Sequence, residues 1–187
     1  MNKKFMLEIR IHGRGGQGAV TTGQILAIAA FYDKKECQTF PNFGVERTGA
    51  PVEAFARISD EKINVRSRIY NPDIVIVLEP SLLEVVNVTK GLKKGGTIIV
   101  NTNKSNDEIG IKGNFKVHTV DATTIALSIF SKPIVNTPML GAVSAITGVV
   151  TLKSLKKAVD DRFLHTKGRK IAELNKKAIE EVYNISK

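Results

Sequence analysis

The chain has 187 residues, of which 42% are hydrophobic and 25% charged. This length suits one domain with a sizeable buried core, so we predict a single domain over residues 1–187. No apolar stretch approaches the roughly 20 residues of a membrane span, and the N-terminal MNKKFMLEIR lacks the apolar centre of a signal peptide. The composition predicts a soluble, cytoplasmic protein with no membrane partner.

The net charge is +10, from 28 basic and 18 acidic residues. The basic residues are spread along the chain with an excess near the C-terminus, where KSLKK and KGRK fall on amphipathic helical patterns. A nucleic-acid site needs a concentrated basic face with stacking aromatic rings, whereas aromatic residues are only 6% of this chain and Trp is absent. Solvated helix faces are therefore the favoured interpretation, and no nucleic-acid partner is predicted; a basic binding module is the third hypothesis.

Residues that could ligate a metal are few and scattered. Cys37 is the only cysteine, and the three histidines, His12, His118 and His165, are far apart in the sequence. An iron–sulfur cluster or a thiolate zinc site needs about four ligands, so the chain cannot build either alone. We predict no metal site, and any redox centre must lie in another chain.

The first half of the chain predicts a strand, a glycine-rich loop and a helix. Residues 6–12 (MLEIRIH) form an apolar strand that exits into glycine-rich residues 13–18, and residues 19–32 (AVTTGQILAIAAFY) carry a broad apolar helical face. A short strand, CQTF, and a longer alternating strand, PVEAFARIS, follow, joined by the loop PNFGVERTGA. These patterns place two long loops next to strand ends.

The second half predicts buried strands that alternate with helices. DIVIVLE (73–79), TIIVN (97–101) and FKVHTVDA (115–122) are apolar and rich in β-branched residues, as strands covered on both faces are. Helices are predicted for SLLEVVNVTKGL, for DATTIALSIF with Asp121 as a cap, for TPMLGAVSAITGVV with Asn136 and Thr137 as candidate caps, and for SLKKAVDDRF and GRKIAELNKKAIEEVY. The fold class is α/β: a single three-layer domain with a largely parallel sheet, in which PVEAFARIS is the candidate antiparallel strand, and a Rossmann-like glycine-rich first turn.

The glycine-rich loop satisfies G-x-G-x-x-G between a strand and a helix, which is the setting that this fingerprint requires. Gly13, Gly15 and Gly18 supply the motif, with Gly16 and Gln17 inside it. Glycines allow backbone amides to approach a phosphate, and the helix N-terminus and Arg14 add positive charge. The alternative is that the glycines serve only a tight turn and close packing.

A dinucleotide site would also need an acidic residue about 20 positions on, at the end of the second strand, to bind the ribose. Asp33 and Glu36 lie near that distance, but both precede the CQTF strand. A stand-alone, NAD-dependent oxidoreductase is therefore kept only as the alternative function.

Two further stretches are candidate site segments. The loop PNFGVERTGAP places Glu46 and Arg47 between glycines, beside Phe40 and Phe43. Loops at the carboxyl-end edge of an α/β sheet are where such folds build their sites, although solvated loop charges are an equal alternative. NTPMLGA contributes Asn136 at the start of a predicted helix.

Three segments together resemble a known family. GRGGQGAVTTGQILA, FPNFGVERTGAPVEAFARIS and NTPMLGAVSAITGVV are similar to the gamma subunit, or the equivalent fused domain, of the 2-oxoacid:ferredoxin oxidoreductases, most of all those of pyruvate and ketoisovalerate. The resemblance covers about residues 6–160, and its paired signatures GRGGQG and FGVERTGAP are far more restrictive than a lone glycine motif.

This resemblance implies a subunit of an enzyme that oxidatively decarboxylates a 2-oxoacid with coenzyme A, giving an acyl-CoA, CO₂ and reduced ferredoxin, or runs in reverse. It implies that thiamine diphosphate and the iron–sulfur clusters are held by partner chains, the alpha-, beta- and delta-type subunits, with ferredoxin as acceptor. We expect the isolated chain to be inactive and to contribute no catalytic residue. Its expected contacts with coenzyme A or with the partner chains come from Gly13, Arg14, Gly15, Gly16, Gln17, Gly18, Glu46, Arg47 and Asn136.

Overall fold

The computed structural model describes residues 6–42 and 48–187, and these form six strands and six helices. The strands are β1 (Met6–Arg14), β2 (Glu36–Pro41), β3 (Pro51–Ser59), β4 (Ile74–Val77), β5 (Thr97–Asn101) and β6 (Lys116–Val120). The helices are α1 (Ala19–Tyr32), α2 (Leu82–Val85), α3 (Ala122–Phe130), α4 (Met139–Thr147), α5 (Leu152–Lys167) and α6 (Arg169–Ile185).

The six strands form one mixed sheet in the order β2-β3-β1-β4-β5-β6. β1, β4, β5 and β6 are parallel neighbours, and β3 lies antiparallel between β1 and β2. Five strands therefore point the same way, and PVEAFARIS is the antiparallel exception that its sequence position predicted. The α/β fold class is confirmed.

One side of the sheet, here called the helix face, carries the main core. Ile9 and Ile11 of β1 and Ile76 of β4 point to this side and pack against apolar residues of α1 and α3 to α6. Successive residues of a strand point to opposite faces, so the side chains between them must point the other way. Burial of this many aliphatic groups, each worth about 1.5–3 kcal/mol, supplies most of the stability of the fold.

The other side, here called the second face, is covered more thinly. Under β4 and β5 it has a small apolar cluster that includes Val75, Val77 and Leu82, packed beneath α2 and the turns on either side of it. Next to that cluster, β1 and β3 place Arg10, His12 and Arg57 on the same face, and all three are buried. The third layer is thus one short helix and turns, rather than a full layer of helices.

Two local predictions differ from the structure. The predicted helix SLLEVVNVTKGL is helical only over Leu82–Val85, after which the chain continues in turns. Asn136 and Thr137 do not cap α4, because Pro138 occupies the N-cap position without a side-chain hydrogen bond. The Asp121 cap is confirmed, since its carboxylate accepts from the amide of Thr124 at 2.9 Å. None of the helices in the described part of the chain is long and apolar enough to cross a lipid bilayer.

Candidate functional site at the carboxyl edge of the sheet

The glycine loop lies at the point where the chain changes sides of the sheet. From β1 the chain leads through α1 to β2 on one flank, whereas β4 lies on the other flank of β1. In open α/β sheets such a switch point forms a crevice at the carboxyl ends of the strands, where ligands bind. The turn after β4 therefore faces the glycine loop.

A polar network fills this crevice. Gln17 Nε2 donates to Glu79 Oε2 at 2.8 Å, and Gln17 Oε1 accepts from the amide of Arg14 at 2.8 Å. The Arg14 guanidinium donates to Ser81 Oγ at 2.9 Å. Although burial raises the pKa of Glu79, hydrogen bonds from Gln17 and Ser81 and the charge of Arg14 bring that pKa below its usual value. Glu79 is therefore a stable anion that fixes the loop.

The second signature segment meets the glycine loop here. The amide of Gly15 donates to the carbonyl of Ala50 at 2.8 Å, and the amide of Gly49 donates back to Gly15 at 3.1 Å. The Arg14 guanidinium also donates to the carbonyl of Gly49 at 3.0 Å. Glu46 and Arg47 lie outside the described residues, so their contacts stay a prediction. What the structure establishes is that the segment directly following them is bonded to the glycine loop.

Two glycines of the loop have left-handed backbones, with φ of +92° at Gly16 and +81° at Gly18. A Cβ at Gly18 would lie 2.6 Å from Asn136 Nδ2, whereas a Cβ at Gly16 would meet nothing within 4 Å. Gly18 therefore permits close packing against Asn136, and Gly16 lies on the open surface of the loop. The carbonyl of Asn136 also accepts from Thr22 Oγ1 at 3.2 Å. The structure thus joins Asn136 to the glycine loop.

The N-terminus of α1 is open. Gly18 caps the helix without a side-chain hydrogen bond, and no acidic residue lies in the first turn. The first-turn amides of a helix have no intrahelical partners and carry partial positive charge, so such an end attracts anions. The anion contact predicted for the glycine loop stays a prediction, and the uncapped N-terminus of α1 is its candidate place.

A cavity of about 520 Å³ adjoins this helix end and is here called the α1 pocket. Residues of α5 and α6 form its far wall. Its cationic lining is Arg162 and Lys167, and its apolar lining includes Pro133, Ile134, Phe163 and Ile171. An apolar cavity with a few placed polar groups is the usual form of a small-molecule site.

Two buried polar atoms of this pocket have no partner among the described residues. They are Thr137 Oγ1, on a residue that is 1% exposed, and Arg162 Nε. Such atoms are rare in folded proteins, because an unpaired buried polar group costs about 1–3 kcal/mol. Both atoms carry a hydrogen that no described group accepts. The sequence pattern gave no sign of Arg162 or Lys167, which lie on an ordinary amphipathic helix.

The dinucleotide alternative is not supported by the geometry. Asp33 follows the C-terminal end of α1, far from the glycine loop, and accepts from the amide of Thr151 at 2.7 Å and from Ser154 Oγ at 2.6 Å. Burial raises the pKa of Asp33, but these hydrogen bonds bring it below its usual value. The second strand is also separated from β1 by β3. Neither Asp33 nor Glu36, which begins β2, therefore takes the ribose-binding position at the end of a strand beside β1.

Within residues 6–42 and 48–187, no group of three or more His, Cys, Asp or Glu side chains could hold a metal ion. Cys37 is a free, half-buried thiol on β2, and burial raises its pKa.

Comparison with known proteins decides the family. The profile of the pyruvate ferredoxin/flavodoxin oxidoreductase family matches residues 8–185. The chain belongs to this family. Pyruvate synthase subunit PorC of Methanocaldococcus jannaschii is 57% identical over 179 residues, which is 96% of each chain. The common subunit gamma of the pyruvate/ketoisovalerate oxidoreductases of Thermococcus litoralis is 53% identical, over 94% of this chain and 97% of that protein.

A solved structure agrees with these relatives. The crystal structure of the pyruvate oxidoreductase subunit PORC of Thermotoga maritima superposes with a TM-score of 0.84 at 40% identity, covering 97% of each chain. The predicted family resemblance is confirmed, and so is the interpretation of this chain as a gamma-type component of an oxidoreductase. The alternative of a stand-alone dinucleotide enzyme gains no support from these relatives.

Proposed function

We propose that this chain is the gamma subunit of a heteromeric, cytoplasmic 2-oxoacid:ferredoxin oxidoreductase of the pyruvate synthase type. The observation that carries the proposal is the identity of 57% along nearly the whole of a relative named as a pyruvate synthase subunit. The complex would convert a 2-oxoacid and coenzyme A to an acyl-CoA and CO₂ while reducing ferredoxin, or run in reverse. Thiamine diphosphate and iron–sulfur clusters, held by alpha-, beta- and delta-type partners, would supply the decarboxylation and electron-transfer chemistry.

The first role that we propose for the carboxyl edge is assembly. Arg14 donates hydrogen bonds to Ser81 and Gly49, and Gln17 donates one to Glu79. These bonds hold the glycine loop in one conformation in the absence of a partner. A preorganised surface binds with less loss of conformational entropy. Gly16 presents bare backbone at its outer side. This geometry suits close contact with the backbone of another subunit.

The second role is to bind the anionic part of coenzyme A in the α1 pocket. The open N-terminus of α1, Arg162 and Lys167 converge on one cavity, and phosphates bind well to helix N-termini and to arginine. The unpaired Thr137 hydroxyl and Arg162 Nε fit an oxyanion ligand. In this proposal the chain binds and orients coenzyme A, and its own residues move no proton or electron.

Reconstitution tests the proposed function directly. The purified chain alone should be colourless and should reduce no viologen dye with pyruvate and coenzyme A, because one cysteine cannot ligate a cluster. Activity should appear when co-expressed partner subunits are present, and subunits co-purifying with the native chain should include them. A brown or active preparation of the isolated chain would contradict the proposal.

Kinetics on the intact complex separate the two roles. Arg162→Gln should raise the Michaelis constant for coenzyme A about tenfold, because one charge-assisted hydrogen bond of about 1.5–3 kcal/mol is lost, and should leave the constant for the 2-oxoacid unchanged. Arg169→Gln, at an exposed position that does not line the α1 pocket, is the matched control. The same assay on Arg47→Ala tests the prediction made from sequence for that loop.

Gel filtration must first show that each variant complex is intact. An unchanged coenzyme A constant in an intact Arg162→Gln complex would leave this chain with the assembly role only. A loss of complex with Arg47→Ala would place Arg47 at a subunit contact.

A further inference from the structure

A second cavity, of about 240 Å³, lies on the second face of the sheet, away from the α1 pocket. It is here called the Arg10 pocket, and its lining includes Arg10 of β1, Glu53 and Phe55 of β3, Arg68, Tyr70 and Lys90. The carboxyl-edge site uses none of these residues, and of the six only Glu53 and Phe55 fall within the segments that carry the family resemblance. Among the described residues, its charged lining consists of three cations and one carboxylate.

Arg10 is buried in the wall of this pocket, with 6% of its surface exposed. Its Nη2 donates to the carbonyls of Val88 at 2.8 Å and Lys90 at 2.7 Å, which holds the guanidinium in place. Its Nε has no partner among the described residues. A buried guanidinium that is fixed but incompletely paired is costly, because a charge taken out of water must recover its lost hydration from partners.

Glu53 cannot balance the pocket alone. Its carboxylate already bonds Arg68 Nη2 at 3.2 Å and Asn42 Nδ2 at 3.0 Å. The neighbouring His12 adds no positive charge near pH 7, because burial and the charge of Arg10, which Glu53 only partly opposes, together lower its pKa to about 4. The charged side chains of the described lining therefore carry a net charge of +2.

The mouth of the pocket is typical of a protein interface. Tyr70 is 68% exposed at its edge, and the Arg68 guanidinium lies 5.7 Å from the centroid of the Phe55 ring. Tyrosine and arginine are enriched in protein–protein contacts and in their energetic hot spots. A cationic, half-enclosed cavity beneath such a rim matches a side-chain carboxylate presented by another protein.

We propose that the Arg10 pocket receives an Asp or Glu side chain of a neighbouring subunit, whose carboxylate accepts from Arg10 Nε. The carboxylate would complete the pairing of Arg10 and neutralise part of the excess charge, while Tyr70 packs against the inserted segment. This proposal rests on the proposed function only in requiring a partner subunit. It assigns this chain a second docking surface, on the second face of the sheet.

Nuclear magnetic resonance of the full isolated chain tests the pocket chemistry with acetate as the probe. The Arg10 Nε–H resonance, assigned with Arg10→Lys, should shift saturably as sodium acetate is added at constant ionic strength. Arg57 is the internal control, because it is buried on the same face and its Nε already donates to Glu8 Oε1 at 3.0 Å. A stationary Arg10 resonance would overturn the proposal.

Assembly of the complex tests the source of the carboxylate. Arg68→Gln combined with Lys90→Gln should weaken association with the partner subunits about tenfold at low salt, and the difference should shrink as salt rises. The matched control, Lys104→Gln with Lys116→Gln, removes the same charge from exposed positions outside the pocket. Equal affinity of the two double variants would overturn the assignment to a partner, even where acetate binds.

A wild-type chain that joins no partner subunits would overturn the proposed function, and with it the partner carboxylate. The acetate titration would still report on the pocket itself, so the two failures are distinguishable.

Discussion

The two faces of β1 differ in chemistry although they are formed by alternate residues of one strand. Ile9 and Ile11 are completely buried in the core of the helix face. Arg10 and His12, which alternate with them, are almost as deeply buried on the second face, and each keeps a side-chain nitrogen without a partner among the described residues. The two pairs of residues are therefore buried to nearly the same depth, but only the second-face pair has buried polar atoms that lack hydrogen-bond partners.

This difference indicates that the helix face stabilises the fold and that the second face is suited to binding. Apolar groups on the helix face gain stability in proportion to the area removed from water, whereas buried charges on the second face cost free energy until partners complete them. Natural proteins keep such costs where they serve a function. The comparison predicts that changes on the helix face reduce stability, and that changes on the second face and the carboxyl edge alter pH response and assembly.

The largest effect is expected on the helix face, where α4 and α6 cross. A Cβ at Gly141 would lie 2.2 Å from the carbonyl oxygen of Ile179, so Gly141→Val must push the two helices apart. We expect a loss of about 3–5 kcal/mol of unfolding free energy, measured by denaturant titration, since overpacking against backbone cannot be relieved by a rotamer change.

The matched control is Gly148→Ala at the end of the same helix. A Cβ there meets nothing within 4 Å, and only the φ of +62° opposes it. Its cost should be about 1 kcal/mol. Equal losses for the two variants would show that the α4–α6 contact is not close-packed in solution.

The next effect concerns His12 and is pH-dependent. Because the folded pKa is about 4 and the unfolded value is 6.5, protonation favours the unfolded chain. The contribution of neutral His12 is fully present above pH 6.5 and is lost as the pH falls from 6.5 toward 4, by up to about 3 kcal/mol. His12→Leu should abolish this part of the pH dependence. Thermal or urea unfolding of both proteins between pH 7 and pH 4 measures it.

His165→Gln, at an exposed position on α5, is the control and should keep the wild-type profile. If His12→Leu and wild type lose stability in parallel between pH 6.5 and pH 4, then His12 is hydrated and the second face is not a dry site.

Of the three substitutions, Gly16→Val should lower stability least, but it should clearly lower the activity of the assembled complex. Gly16→Val places a β-branched residue at a φ of +92°, which should cost about 1–3 kcal/mol. Its side chain projects from the loop into open space, where we propose that a ligand or subunit approaches. We therefore expect the activity of the assembled complex to fall by more than the loss of folded chain explains.

Gly95→Val is the comparison, because its φ of +73° gives similar strain, its Cβ also meets nothing within 4 Å, and it lies outside the carboxyl-edge site. Thermal midpoints and specific activity should be measured for both variants. Full activity of a correctly assembled Gly16→Val complex would remove the glycine loop from the functional surface.

Much of the fold was predictable because its signals are local. The bounds of α1 and of β3 coincide with the predicted segments AVTTGQILAIAAFY and PVEAFARIS, since apolar periodicity identifies the side that faces the core. The helix predicted for SLLEVVNVTKGL was wrong over most of its length, because apolar residues show which side faces the core but not whether the backbone is helical. Leu82, Val88 and Leu92 are buried against the second face, and a turn can bury them there as well as a helix can.

The sequence by itself determined the family, the strand–loop–helix unit and the candidate loop residues, because these depend on residue type and short spacing. Only the tertiary structure decided that Arg14 braces Ser81 and Gly49, that Asp33 lies far from the glycine loop, and that Thr137 and Arg162 share one pocket. The same holds for Arg10, whose unpaired Nε is invisible in a strand pattern. Pairing of a buried polar atom depends on groups that are distant in the chain, so no local pattern encodes it.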